Sequence, residues 1–277
     1  MRVILTGATG GLGQALARAF SNDNVRLLLV GRDLVELQKL RFALSHSVNA
    51  ETCHVDLKST DAMSRIVSKD WRHCDVLINN AAIQGPIGPF WQTSSEEWRN
   101  CIDLNLVTPI ELCRAVVPGM LEAGKGKIIN LSGGGAATPR PGFSAYAAAK
   151  AALVRFTETL AVELKGTGID VNCVAPGAMP TKLLQSVLDA GEERVGSNEF
   201  KSALRANSTG QEAIEKAVAL CRYLASSDSD GITGKLISAV WDPWAHLQLH
   251  ADDLENSDIY TLRRIVPADR GKTWGGQ

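Results

Sequence analysis

The chain predicts an α/β fold: a single doubly wound parallel sheet with helices on both faces, followed by a C-terminal extension. Three observations predict it. Short apolar runs alternate with segments of helical spacing as far as about Val240. A glycine-rich turn, TGATGGLG, joins the first apolar run to the first helical segment. The runs are apolar throughout, without the every-second-residue alternation of a half-solvated sheet. Strands of that kind are buried on both faces, the condition of a parallel sheet between two helical layers.

The elements follow in order. VILTG is an apolar run closed by Gly, GLGQALARAFSND has helical spacing, and VRLLLVGRD is a second run closed the same way. Next come a helix from about Asp33 to Ser45, a strand at NAETCHVD, a helix from about Thr60 to Lys69 and the strand CDVLINN. A long helical stretch from about Glu96 to Gly124 leads to the strand GKIINLS, a helix from Ser144 to Lys165 and the strand IDVNCVAPG. A polar helical insert at about 181–206 then breaks the rhythm before a helix at 210–225 and the last strand, GKLISAV. An insert at the ligand-binding edge of a sheet is a natural substrate lid.

These elements make one domain, 1–240. Residues 241–277, with three of the six Trp, form an extension expected to pack on the domain or a neighbouring subunit. Trp241 and Trp244 are its expected anchors, since amphipathic rings favour interfaces.

Bulk properties exclude several classes. The 29 Lys and Arg against 30 Asp and Glu leave a net charge of -1, too weak a field to hold nucleic acid or an anionic membrane. The six cysteines form no C-x-x-C pair and read as small buried residues in a reducing compartment. MRVILTG enters a strand at once and no apolar run reaches the ~18 residues of a membrane span, so a soluble, cytoplasmic protein is expected. His246 and His250, four apart, lack a third ligand, so no metal is expected.

In TGATGGLG, Gly7, Gly11 and Gly13 allow a tight turn, close backbone approach to a pyrophosphate and close helix–strand packing, while the helix N-terminus offers N–H groups to phosphates. After the second strand, Gly31 stands where a ribose-binding carboxylate would, and Arg32 follows with a fork of donors suited to a 2'-phosphate. NADP(H) is therefore the expected cofactor, with NAD(H) as the alternative.

Tyr146 and Lys150 lie one helical turn apart on one face. An ammonium beside a phenol favours the phenolate and draws its pKa toward working pH, which makes the pair a proton donor or acceptor for carbonyl chemistry.

The G-x-x-x-G-x-G spacing, with Tyr146 and Lys150 downstream, resembles the short-chain dehydrogenase/reductase family from Arg2 to about Val240. The resemblance implies a Rossmann-like domain that interconverts a ketone and a secondary alcohol with NAD(P), with Tyr146 as acid/base and Lys150 on the nicotinamide ribose. It assigns Thr6, Gly7, Gly11, Leu12 and Gly13 to the cofactor loop, and matches Asp56 and Leu57 to positions that contact adenine. NNAA resembles the family's N-N-A-G, where Asn79 and Ala81 line the cofactor or brace the sheet. NCVAPGAMPT matches N-x-x-x-P-G-x-x-x-T, which brings Pro176, Gly177 and Thr181 to the nicotinamide side. Asn105, in DLNLVTP, matches the Asn that interrupts a helix and holds a water relaying protons to the Lys.

One family hydroxyl is displaced. Its active Ser lies thirteen residues before the Tyr, where this chain has Gly133. Adjacent strand residues face opposite ways, so Ser132 replaces it only if Gly133, Gly134 and Gly135 let the chain leave the strand early. Ser132 is the favoured candidate; Ser144, Thr138, a substrate hydroxyl and the N–H groups of the glycine run are the others. The last strand ends SAVWDPWAHL where the family carries a Val-Asp-Gly-Gly-like end.

The expected function is reduction of a polar ketone, oxo-sugar or oxoacyl-like, in a homodimer or homotetramer built on the helices at 96–124 and 144–165. The alternative is a cofactor-binding sensor with weak or no turnover.

Overall fold

Arg2–Thr6 (β1) and Arg26–Gly31 (β2) pair in parallel, with Val3 opposite Leu27 and Leu5 opposite Leu29. The other strands are Asn49–His54 (β3), Val76–Asn79 (β4), Gly126–Leu131 (β5), Ile169–Ala175 (β6) and Leu236–Ser238 (β7). All pair in parallel in one sheet, ordered β3-β2-β1-β4-β5-β6-β7. The computed structural model describes residues 1–21, 24–44, 49–68 and 70–274. Ser45 and Lys69, the expected ends of two helices, lie outside the described residues.

The helices are Gly11–Ala19 (α1), Leu34–Leu44 (α2), Ala62–Ile66 (α3), Ser95–Ile102 (α4), Thr108–Ala123 (α5) and Ser144–Glu163 (α6). Lys182–Ala190 (α7), Glu192–Val195 (α8), Ser197–Thr209 (α9), Gln211–Leu224 (α10) and Ala251–Glu255 (α11) complete them.

Alternation along each strand distributes the core to two faces. Val3, Leu5, Leu27 and Leu29 pack with Leu16 of α1 and Leu220 of α10. Ile4, Leu28 and Leu77 pack with Leu112 and Val116 of α5. Burying each such side chain contributes roughly 1.5–3 kcal/mol. The strand order reverses between β1 and β4, and α1 and α5 leave on opposite faces, which opens a crevice at the strands' C-terminal ends.

The stretch expected as one helix from 96 to 124 is two helices joined by a π-helical turn, Asp103–Val107. The Thr108 hydroxyl donates to the Asp103 carbonyl (3.0 Å), and Asn105 is pulled inward to bind the backbone of Ile83. No uninterrupted apolar run reaches the ~18 residues of a membrane span, yet one helical stretch does so by length and mean composition. The continuous helical stretch Ser95–Ala123 meets that length and apolarity, because a helix accumulates apolar residues across polar interruptions. Half of its apolar window is buried here, with α4 against α6 and α5 against β4 and β5.

The insert expected as a lid is α7 to α9. Its Val187, Val195 and Ala203 pack on Cys101, Phe143 and Tyr146, so it closes over the Tyr146 end of the crevice.

The tail folds back on its own domain. Leu236 donates its edge N–H to Tyr260 O (2.8 Å), Lys235 Nζ donates to Ser257 O and Ile259 O (3.3 and 3.1 Å), and Leu262 N donates to Glu158 Oε1 (2.6 Å). Trp244 is an anchor: its Nε1 donates to Ala239 O (3.0 Å) and its ring lies 6.1 Å from that of Tyr223. Trp241 does not anchor the tail to its own domain, being 84% exposed at the mouth of the crevice, where the turn after β7 directs it outward. Among the described residues no group of three or more His, Cys, Asp or Glu is placed to hold a metal ion.

Candidate active site

The crevice is a cavity of about 1390 Å³ lined by the glycine loop, Tyr146 and Lys150. A larger cavity, about 1550 Å³, opens at the N-terminal ends of the strands. That one carries no comparable chemistry. Its buried cation, Lys127, is paired with Asp170 and Asp230 at 2.7 Å each, and Lys165 is paired with Glu255 at 2.9 Å.

The glycine loop is built by backbone contact. Gly7 has φ 63°, and a Cβ on it would lie 2.8 Å from Ala81 Cα; a Cβ on Gly13 would lie 2.1 Å from Gly7 O. Strand, loop and helix therefore touch main chain to main chain. Gly10 precedes α1 in extended geometry without a capping side chain, so the first-turn N–H groups at Gly11, Leu12 and Gly13 stand uncapped in the cavity wall.

Thr6 and Asn79 do not reach the cavity. Thr6 Oγ1 accepts N–H groups of Asn80 (3.0 Å) and Ala81 (3.1 Å) and donates to Ile78 O (3.4 Å). Asn79 Nδ2 donates to Asn130 Oδ1 (2.8 Å), and Asn130 Nδ2 to Thr157 Oγ1 (2.8 Å), which ties β4 and β5 to α6. The neighbour Asn80, passed over in the sequence, lines the cavity and donates to Thr6 O (3.0 Å) and Gly7 O (3.1 Å). Strand alternation was the available signal, since 79 and 80 must face opposite ways.

Arg32, Leu57 and Ala81 line the cavity beside the loop, and Arg32 makes no ion pair among the described residues. Asp56 stands outside the wall, its Oδ1 accepting Lys58 N–H (3.0 Å) to cap a turn. Pro176, Gly177 and Thr181 also line the cavity, with Thr181 packed against the loop: a Cβ on Gly11 would meet its Cγ2 at 3.0 Å.

Asn105 is fully buried: Oδ1 accepts Ile83 N–H (3.0 Å), and Nδ2 donates to Ile83 O (2.8 Å) and Cys101 Sγ (3.1 Å). Its side chain braces the loop after β4, with both amide hydrogens engaged and one lone pair of Oδ1 still open.

Ser132 lines the cavity, and its buried Oγ has no hydrogen-bond partner among the described residues. Its N–H still pairs with Val174 O (2.8 Å), and the chain turns only after it, with Gly135 at φ 95°. A buried hydroxyl without a partner costs free energy, and a bound oxygen would relieve that. Ser144 accepts Trp98 Nε1–H (3.2 Å) and does not line the cavity, while Thr138 lies in its wall. At Gly133 a Cβ would lie 2.3 Å from the Tyr146 hydroxyl, so that hydroxyl fills the space a side chain would need.

Tyr146 and Lys150 are both buried. Lys150 Nζ donates to Leu131 O (2.7 Å) and lies 5.7 Å from the centre of the Tyr146 ring. Burial pushes Tyr146 up to about 12, with Arg140 pulling it down and Cys101 adding to the rise. Burial also holds Lys150 down, to about 8. Desolvation of both groups outweighs their mutual effect. The same burial pushes the thiols of Cys74, Cys113, Cys173 and Cys221 up to about 12 and Cys101 to about 11, so none of these is an anionic nucleophile at neutral pH.

Comparison with known proteins agrees with this geometry. A sequence model described as short chain dehydrogenase matches residues 1–191. Dehydrogenase/reductase SDR family member 4 of Homo sapiens is 31% identical over 240 residues, 84% of each chain. The NADP-dependent 3-hydroxy acid dehydrogenase YdfG of Salmonella typhi is 32% identical over 205 residues, 73% of this chain and 82% of that one. An actinorhodin polyketide ketoreductase solved with NADPH is similar at TM-score 0.76 and 25% identity, over 86% of this chain and 94% of that one. An NAD+-bound xylitol dehydrogenase, 24% identical at TM-score 0.74 over 86% of this chain and 96% of that one, shares the fold. The chain belongs to the short-chain dehydrogenase/reductase family and is an NAD(P)-dependent oxidoreductase.

Proposed function

We propose that this enzyme reduces a polar ketone to a secondary alcohol with NADP(H), Tyr146 delivering the proton. The observation that carries the reading is the convergence of the buried Tyr146 hydroxyl and the unpartnered Ser132 hydroxyl on the cavity that the glycine loop lines. The cradle of Gly7, Gly11 and Gly13 and the uncapped N-terminus of α1 fit a dinucleotide diphosphate. When bound, the dinucleotide supplies or accepts the hydride.

The chain's own groups manage the oxygen and the proton. Tyr146, with its pKa near 12, holds its proton at working pH and is loaded as an acid for carbonyl reduction. Ser132 Oγ donates to the carbonyl oxygen and satisfies its own unmet bond. Lys150, anchored on Leu131 O with Nζ 5.7 Å from the Tyr146 ring centre, brings positive charge near the phenol on which negative charge grows. Cavity-lining Thr138 and Arg140, like the name of the 3-hydroxy acid dehydrogenase relative, support a polar substrate. For assembly, Val107 and Val162, exposed on the long helical elements, support a homodimer or homotetramer through those faces.

Two tests follow from the charges. Lys150 is an ammonium below about pH 8 and loses its charge above it. The kcat/KM for reduction is therefore expected to be level at lower pH and to fall above about 8, by about tenfold per unit at the limit. In Lys150→Arg the fall should move beyond pH 10; a wild-type profile level to pH 10 would remove Lys150 from this role.

Arg32, free of ion pairs among the described residues, is assigned to the 2'-phosphate. Titration of the Trp fluorescence should show NADPH binding more tightly than NADH. In Arg32→Ala the ratio of the two Kd values is expected to shrink by about tenfold or more. An unchanged ratio would transfer NADP(H) selection to other residues.

A further inference from the structure

We infer that Arg140 is the substrate-recognition cation of this site, binding a carboxylate of a small oxo acid whose ketone faces Tyr146, and that Glu199 holds the same place as an internal counter-ion. The inference rests on the ketone-reductase reading above and names its substrate class.

Arg140 lies in the loop between β5 and α6, and Glu199 lies on α9 of the lid; both line the cavity of Tyr146 and Lys150. The Arg140 guanidinium is stacked on Phe143, 3.8 Å from its ring centre, and lies 5.8 Å from the ring of Tyr146. Stacking fixes the plane of the fork, which a planar carboxylate can then meet edge-on. Gly134 lies alongside the guanidinium, where a Cβ would be in ordinary contact with Arg140 at 3.7 Å.

The pairing with Glu199 leaves that fork half used. Nε (3.1 Å) and Nη2 both donate to the same oxygen, Oε1 of Glu199, and Nη1 has no hydrogen bond among the described residues. A carboxylate engaged in full would offer two oxygens to two nitrogens. The pair is sheltered, with side-chain exposures of 18% for Arg140 and 31% for Glu199, so an unpaired guanidinium here would be costly. Exchanging the Glu199 carboxylate for one on the substrate keeps the cation paired while releasing α9 from the loop. A ketone two bonds from a carboxylate suits the short reach from this fork to the Tyr146 ring.

The test compares 3-oxobutanoate with its neutral amide, acetoacetamide, as substrates of the full chain with NADPH. Binding of 3-hydroxybutanoate to the protein with NADPH is measured in parallel by calorimetry. Wild type is expected to favour the acid in kcat/KM by about tenfold or more, and Arg140→Gln to reduce that preference by about 30-fold. Glu199→Gln is expected to raise kcat/KM for the acid about threefold, the internal competitor being weakened. In Arg140→Gln, 3-hydroxybutanoate should bind about tenfold more weakly.

Should Arg140→Gln fail to fold by thermal unfolding, Arg140→Lys, which keeps the charge and loses the fork, is read instead, with the acid preference falling at least threefold. An acid preference unaltered by the Arg140 variant overturns the inference. So does a loss in Glu199→Gln equal to that in Arg140→Gln, which would make the pair a structural tie. Binding of 3-hydroxybutanoate that depends on Arg140, without turnover of either ketone, upholds the carboxylate site and rejects the reductase reading. Absent binding and absent acid preference reject the inference itself.

Discussion

Tyr146→Phe is expected to lower kcat by about three orders of magnitude, the upper part of the range for a positioned general acid. The Kd for NADPH should stay within about threefold of wild type, because the change removes one oxygen and keeps the ring that packs with Phe143 and Val187. Steady-state rates and a fluorescence titration on the same preparation read the two quantities. That split separates an enzyme from a cofactor sensor, which would tolerate the loss of the phenol. Retained turnover would move the proton to Ser132 Oγ, the other hydroxyl buried in the wall.

Gly133→Ser restores the hydroxyl at the family's usual spacing, yet it is expected to slow the enzyme by about tenfold or more. A Cβ at 133 would stand 2.3 Å from the Tyr146 hydroxyl and 3.1 Å from two of its ring carbons. The phenol must then swing from the position that faces the carbonyl, and small misplacements of a catalytic group carry large rate penalties. Overpacking of this kind also lowers stability by about 1–3 kcal/mol. Gly133→Ala should behave alike, since the clash belongs to Cβ and not to the hydroxyl. Kinetics with thermal unfolding of both variants decides the point. A Gly133→Ser enzyme faster than wild type would show that the site wants a donor at 133 and that Ser132 is not it.

Much of this was legible in the sequence because its causes are local. Continuous apolar runs, a glycine turn between strand and helix, and two side chains one helical turn apart each depend on a few neighbouring residues. Contacts between distant segments left no such mark. Arg140 and Glu199 are 59 residues apart, and Leu262 meets Glu158 across 104. The motif at Asn105 marks an interrupted helix, whereas the partners of its side chain, Ile83 and Cys101, are fixed by the π-helical turn that packing imposes. The balance of effects at Tyr146 escaped the sequence for a related reason. The spacing brings an ammonium near, but only the closed fold around the pair determines how much water both groups lose.

The tail gives the sheet a property that its strand order alone would not. In β7 the outward N–H of Leu236 is already engaged by Tyr260 O, so another copy cannot add its own strand there without first peeling away the residues around Tyr260. Lys235, which donates to Ser257 O and Ile259 O, would lose both acceptors in the same event, and Glu158 would lose Leu262 N–H. The β7 edge of the sheet is thus closed to growth by its own chain, a guard against edge-to-edge aggregation in a protein whose central strands β1, β2 and β4 are apolar along nearly their whole length.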